Sequence, residues 1–492
     1  MGNLFTLMSK ISIKKATFIT AISKYTNVLL GFIFLAILAR LLTPEDFGIV
    51  AIVTIFTSFF SLISNLGIGP AIIQDKTLTN EEINHIFSFS VYASVISVIL
   101  FCLLGFPLAL FFGNQEYIFI CAILSLSLFF NVLNTVPNAL LRKKGRFLLL
   151  GVRSIVVSIG TYAITIVLAL MQFNHYALIV QSILSALFVF VWNLKNVKLH
   201  LSLKIDFMAI KKIKKYSSYQ FGFNFINYLA RNLDKFIIGR IWGASALAQY
   251  DRAYRFMLFP INNSTLVLSS VLHPILSKDQ DNLEYIYYKY MQIVKILSLL
   301  GVFITAFCFW SSQEIIILVF GNQWYEAANY FRWLSLSLWA QMVTSSAGAI
   351  YQSIGNTKLM FTSGLVHVSI SICAIIIGIL LGNLNTFALC VSIGFIVKFF
   401  VEYFFLVKKG FQKKLTAFLY AFIFDMIVFI ILFVGLFCFS LFLDIIDFPL
   451  LSSFFLKLIF TIALFFFCIF FTGQWKFLKK IMHNNRNYEK TI

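Results

Sequence analysis

The sequence predicts an all-α membrane protein of about fourteen transmembrane helices: two six-helix lobes related by a pseudo-twofold parallel repeat, plus two C-terminal helices. Three observations carry that expectation. Hydrophobic residues make up 60% of the 492 residues and charged residues 12%, with a mean hydropathy of +0.91. A water-soluble domain of this length could not hide so much apolar surface, so its solvent is lipid. The apolar residues also fall into runs long enough to cross a bilayer, which takes about 20 residues per helix. Finally, Lys and Arg cluster in alternate gaps between the runs, as they do in cytoplasmic loops.

Taken in order, the first six predicted spans are 17–40, 48–73, 84–112, 117–140, 147–171 and 176–193. The next six are 216–240, 252–275, 290–311, 328–352, 359–382 and 386–407, and the last two are 418–443 and 453–473. Helix one follows Lys10, Lys14 and Lys15 and so resembles a signal peptide. Its apolar stretch runs on to Leu42, holds Lys24 and Asn27, and lacks a small-residue cleavage site, so it is read as a retained helix. Helix two carries no charge between Gly48 and Pro70, whereas helices seven and ten are the most polar. Residues 1–193 form the first lobe, 194–215 a basic cytoplasmic linker, and 216–407 the second lobe; 408–492 hold helices thirteen and fourteen and a cytoplasmic tail.

Orientation follows from the short loops. Arg142, Lys143, Lys144 and Arg146 form one basic cluster, and Lys195, Lys198, Lys204, Lys211, Lys212, Lys214 and Lys215 a longer one. Lys408, Lys409, Lys413 and Lys414 follow, then Lys476, Lys479 and Lys480. All lie on the side that an even helix count gives to the N-terminus, and the opposite loops near Gly113, Asn174, Asn322, Asn383 and Asp447 carry almost none. Both termini are therefore expected on the cytoplasmic side of an inner membrane. The linker reads as a basic amphipathic stretch on the anionic leaflet, making membrane lipids a partner.

An internal repeat supports the two lobes. Phe112-Gly113-Asn114-Gln115 recurs as Phe320-Gly321-Asn322-Gln323, each followed by a Leu-Ser-Leu-Ser-Leu run at 124–128 and 334–338. Arg40 pairs with Arg240, and Pro70 with Pro274. Six helices per repeat is even, so both halves face the same way across the membrane.

Composition excludes several classes. The formal net charge of +20 sits in loop clusters rather than on one soluble face, which argues against nucleic acid. The seven cysteines lie inside apolar runs with no close pair, so neither disulfides nor a metal site is expected, and no cofactor. No phosphate loop, nucleophile elbow or zinc-helix motif occurs, and external loops are short. A transporter driven by ion gradients or exchange fits better than an enzyme.

Helix seven carries Gln220, Asn224, Asn227, Arg231, Asp234 and Lys235 at spacings of three and four, hence on one face. Thr20, Lys24, Asn27 and Gly31 match them on helix one. Polar groups in lipid are costly and normally face a bundle interior or wet cavity, so the two faces are expected to line a shared cavity. Arg252 and Arg255 on helix eight add to a cationic excess, which suits an anionic ligand; the planar guanidinium fork suits phosphate. Asp234 reads either as a partner of Arg231 or, with Glu402 and Asp425, as an ion-coupling carboxylate. Arg40, Arg240 and Lys457 read as snorkelling to an interface, and Lys398 with Glu402 as a neutralising pair.

The run Leu38-Ala39-Arg40-Leu41-Leu42-Thr43-Pro44-Glu45-Asp46-Phe47-Gly48 resembles the first loop of bacterial polysaccharide transporters. So do Asp234-Lys235-Phe236-Ile237-Ile238-Gly239-Arg240, Tyr250-Asp251-Arg252-Ala253-Tyr254-Arg255 and Pro260. These belong to the multidrug, oligosaccharidyl-lipid and polysaccharide flippase superfamily, which includes Wzx-type O-antigen flippases. The resemblance covers essentially the whole chain. It implies translocation of undecaprenyl-diphosphate-linked oligosaccharide by alternating access, with Arg252 and Arg255 as the best-matched diphosphate ligands and Lys24 and Arg231 following by position. It also implies a groove for the polyprenyl tail on helices thirteen and fourteen, and a polysaccharide polymerase and glycosyltransferases as candidate partners. Helix two lacks the basic residue that some relatives carry there. The alternatives are a multidrug antiporter of the same superfamily and a non-transporting component or enzyme of polysaccharide assembly.

Overall fold

A computed structural model describes residues 13–65, 68–75, 77–200, 225, 228, 232–276, 282–476 and 479, of which 13–22, 264–276 and 357 by backbone alone. The described residues are helical nearly throughout and contain no strand. In the first part of the chain the long helices are α1 (Ile13–Leu41), α2 (Pro44–Asn65), α3 (Asn80–Phe112), α4 (Glu116–Leu133), α5 (Phe147–Leu170) and α6 (His175–Lys195). Residues 232–241 continue as α7. They are followed by α8 (Gly243–Leu276), α9 (Leu283–Trp310), α10 (Tyr325–Ser335), α11 (Thr357–Leu380), α12 (Leu384–Tyr403), α13 (Ile423–Ile446) and α14 (Leu450–Phe471). Short helices Ile68–Gln74 and Thr135–Lys143 follow α2 and α4 in sequence.

Eleven helical spans among the described residues are long and apolar enough to cross a membrane. The chain is thus a multi-pass membrane protein. Expected spans seven, eight and ten are the ones missing from that set. Most of 216–240 lies outside the described residues, and α8 is one continuous helix but too polar to qualify by hydropathy. The tenth is broken: α10 ends at Ser335, and Leu338–Thr344 and Ala347–Ser353 follow as separate short helices. Ser335, Ser337 and Ser345 each donate a side-chain hydrogen bond to the carbonyl three residues back, at 2.7 Å. Such back-bonding competes with the helical ladder and bends it.

Lipid accounts for the outward faces. Leu110, Leu380 and Ile445 are 87%, 79% and 83% exposed, among dozens of exposed large apolar side chains. In water such a surface would aggregate.

The chain divides into two compact units between Ala248 and Gln249, inside α8. The sequence placed the lobe boundary at 194–215 instead. The difference lies after the linker: Phe225, Tyr228 and residues 232–248 belong to the first unit. The Tyr228 hydroxyl donates to the Ile55 carbonyl. Phe236 lies 5.8 Å from Phe56, 5.3 Å from Phe111 and 6.0 Å from Phe112. A core of Ile68, Ile72, Ile83, Ile86, Phe87, Val136 and Leu140 fills one end of this unit.

In the second unit, Val302 and Ala306 of α9 pack on Val428, Leu432 and Leu436 of α13 and Cys468 of α14. A second cluster centres on Tyr290, Tyr351, Phe399, Tyr403 and Phe418, with the Tyr290 and Tyr403 hydroxyls 2.9 Å apart. Each copy of Phe-Gly-Asn-Gln lies at a helix end. Gly113 (φ 71°) ends α3, and Gly321 (φ 98°) ends the short helix Ser312–Phe320 that continues α9. Both glycines take a conformation that costs other residues.

Candidate functional site

The first motif builds a helix start. Thr43 N–H and Oγ1 donate to Asp46 Oδ2 at 3.0 and 2.7 Å, and Asp46 N–H donates back to Thr43 Oγ1 at 3.2 Å. That reciprocal cap satisfies amides the helix leaves open. His175 ties three helix starts together: its Nδ1 lies 3.5 Å from Asp46 of α2, and its Nε2 lies 3.0 Å from Glu116 of α4. Carboxylates at helix N-termini are favoured by the backbone dipoles. Gly48 serves close approach, since a Cβ there would stand 1.9 Å from the Ala244 carbonyl oxygen. Arg240, ending the second motif, is exposed and sits 5.0 Å from the Phe111 ring.

Lys24 and Asn27 on α1 part company. Lys24 is exposed. Asn27 is half-buried, donating to the Ser23 carbonyl at 2.7 Å and accepting from Ser158 of α5 at 3.3 Å. Its face is thus committed to α5. Asn224, Asn227 and Arg231 lie outside the described residues. Asp234 is buried, accepting from the Lys235 backbone N–H at 2.8 Å, and Lys235 is half-buried.

The Tyr-Asp-Arg-Ala-Tyr-Arg motif opens the part of α8 that belongs to the second unit. Tyr250 and Tyr254 stack at 5.9 Å and reach α12 through Phe387 and Phe395. Arg252 lies 5.8 Å from the Trp324 ring. Arg255 donates from Nε to the buried Asp251 at 2.6 Å while staying largely exposed. The pair aims a guanidinium outward on a fixed stem, a disposition suited to an oxyanion.

The ion-coupling candidates find distinct settings. Glu402 is buried, with His367 Nε2 at 3.2 Å and the Ser363 hydroxyl at 3.3 Å. Lys398 bonds Ser371 instead and sits over the Phe395 ring, so the expected Lys398–Glu402 pair gives way to Glu402–His367. Four residues apart on one helix, the two side chains each found a nearer partner on α11. Asp425 is fully buried and receives Lys295 Nζ at 2.6 Å and Ser298 Oγ at 2.6 Å. Lys457 does not snorkel: it is 5% exposed and pairs with Glu314, which also accepts from Ser453 at 2.9 Å.

Sequence reasoning missed Lys295 and Glu314 as partners. The only available signal was a lone charge in or beside an apolar run, and its partner lies more than a hundred residues away. Together they clamp α13 to α9 and α14 to the short helix Ser312–Phe320. Arg332, by contrast, is housed by aromatic faces, 4.7 Å from Phe309 and 4.9 Å from Trp310.

A bundle of this kind is the fold of multi-pass helical membrane flippases and transporters. It matches the lipid II flippase MurJ in its inward closed conformation with a TM-score of 0.70, over 93% of this chain and 99% of that one, at 16% identity. The chain belongs to the family described as polysaccharide biosynthesis protein, whose pattern matches residues 37–329, more than half its length. Two relatives are the teichuronic acid biosynthesis protein TuaB of Bacillus subtilis (strain 168) and the lipopolysaccharide biosynthesis protein WzxC of Escherichia coli (strain K12). TuaB is 22% identical over 70% of this chain and 71% of its own length. WzxC is 23% identical over 79% of this chain and 80% of its own.

Proposed function

We propose that this chain is a flippase carrying undecaprenyl-diphosphate-linked oligosaccharide repeat units across the cytoplasmic membrane by alternating access, for a cell-surface polysaccharide. Family membership across residues 37–329 carries this reading. The likeness in fold to a lipid II flippase supports it. So do relatives named for lipopolysaccharide and teichuronic acid biosynthesis. In this reading the chain is a transporter and not an enzyme. It resides in the inner membrane with both termini cytoplasmic, and a polymerase and glycosyltransferases work beside it.

Arg252, Arg255 and Arg231 hold the diphosphate by charge and bidentate hydrogen bonds, and Lys24 and Lys235 add point charges. Asn224 and Asn227 serve glycan hydroxyls, and Asn27 is positioned by Ser158. Glu402 is the better ion-coupling carboxylate, because Asp425 already holds a fixed lysine; Asp234 is the third candidate. The test is surface polysaccharide in a strain lacking the gene and complemented with variants. Arg252→Ala or Arg231→Ala should abolish export while the protein stays in the membrane. Normal export from both variants would overturn the site assignment, and unchanged polysaccharide in the deletion strain would overturn the function.

A further inference from the structure

A cavity of about 440 Å³ opens in the first unit where α2 and α4 end, next to the basic loop 142–146. Small-molecule sites occupy roughly 300–1,000 Å³ and orient their ligands with a few convergent polar groups. The polar lining is Ser61, Asn65, Asn131, Asn134, Thr135, Asn138 and Arg142, with no carboxylate; Thr135 donates to Asn65 and Asn65 to Ser61, which leaves the other asparagines and Arg142 to a ligand. Asn131, Asn134 and Asn138 are three and four apart, so they share one face of the α4 run despite its break before Thr135. Amides at the edge of a bilayer cost free energy unless something uses them.

A hydrogen-bond chain behind the wall fixes what each amide offers. Arg153 donates to the Asn193 oxygen at 2.7 Å and to the Asn138 oxygen at 3.5 Å. Asn193 donates to the Asn134 oxygen at 2.7 Å. With their oxygens engaged, Asn134 and Asn138 present NH₂ donors. Asn131 is reversed: its NH₂ donates to Ser127 at 3.3 Å, leaving an oxygen as acceptor. The exposed Arg142 stands at the rim. Donors mixed with an acceptor suit hydroxyls, which both give and take a hydrogen bond. The rim guanidinium, in a lining that holds no carboxylate, suits a phosphate.

We propose that this cavity is a binding site for a glycosyl phosphate, with Asn131, Asn134 and Asn138 on the sugar and Arg142 on the phosphate. Resting on the flippase reading, it is where the sugar-phosphate end of the lipid-linked glycan is held on the side marked by loop 142–146.

The experiment uses the full chain in lipid nanodiscs, titrated with glucose 1-phosphate, galactose 1-phosphate, inorganic phosphate and glucose. At least one sugar phosphate should bind at least tenfold more tightly than phosphate or glucose alone. Arg142→Gln should reduce that advantage at least tenfold, with Arg142→Lys restoring part of it. Asn138→Asp keeps an oxygen for Arg153 but puts a carboxylate in the wall, and should also weaken the sugar phosphate at least tenfold. Arg142 is exposed, so its variants test the site without threatening the fold. Failure of both sugar phosphates to bind, or affinities within twofold in both Arg142→Gln and Asn138→Asp, overturns the site. The two readings separate by export. Loss of polysaccharide in the deletion strain with unaltered sugar phosphate binding by these variants sinks the site alone. Unchanged polysaccharide with variant-sensitive binding sinks the flippase alone.

Discussion

Gly48 shows how much a single position can require. Any side chain there meets Ala244 as backbone, with its carbonyl oxygen at 1.9 Å and its Cα at 2.9 Å from the added Cβ. Overpacking a tight contact costs about 1–3 kcal/mol, and a backbone neighbour cannot rotate away. Gly48→Ala should therefore lower the thermal stability of the detergent-solubilised protein by at least that much. Ala244→Gly should not rescue it, because the obstacle is main chain; rescue would show that the Ala244 methyl was the contact. The motif around Gly48 was legible in the sequence as a family feature, but its physical reason was not. Likewise, Lys457 read as snorkelling because sequence shows one charge near a helix end and cannot show Glu314 facing it.

Helices α13 and α14 illustrate the same limit at the next scale. Length and apolarity located both. What holds them was hidden: Lys295–Asp425 anchors α13 to α9, and Lys457–Glu314 anchors α14 beside the end of α9. Breaking a buried pair from one side costs about 3–5 kcal/mol, whereas replacing both members with apolar residues of similar volume is often neutral. Lys295→Met should accordingly destabilise the protein by about that amount, and Lys295→Met with Asp425→Leu should recover most of it, read as heat-induced aggregation in detergent. Equal loss in the single and double variants would mean that packing, not the pair, holds α13. The tenth predicted helix fails for a local reason. Hydropathy sees an apolar run at 328–352, but the chain leaves the α-helix at 336–337 and again at 345–346, beside serines whose hydroxyls bond carbonyls three residues back.

Across the whole molecule, bilayer thickness and lipid exposure impose constraints that a single sequence displays well, so the all-helical class and most spans were readable. The division into units was less so. Which unit a segment joins depends on contacts such as Phe236 on Phe111, which composition does not encode. The charge pattern makes a direct forecast about topology. Green fluorescent protein fused after Lys144 should fluoresce, and alkaline phosphatase fused after Gly113 or Asn383 should be active. Activity of phosphatase fused after Lys144 would reverse the assigned orientation. The two buried ion pairs also constrain how such a chain can drift. Because losing Lys295, Asp425, Glu314 or Lys457 alone leaves its partner buried without an opposite charge, a single change at these positions carries the larger cost and a paired apolar change the smaller one. The two pairs thus tie the drift of α13 and α14 to that of the α9 run they pack on.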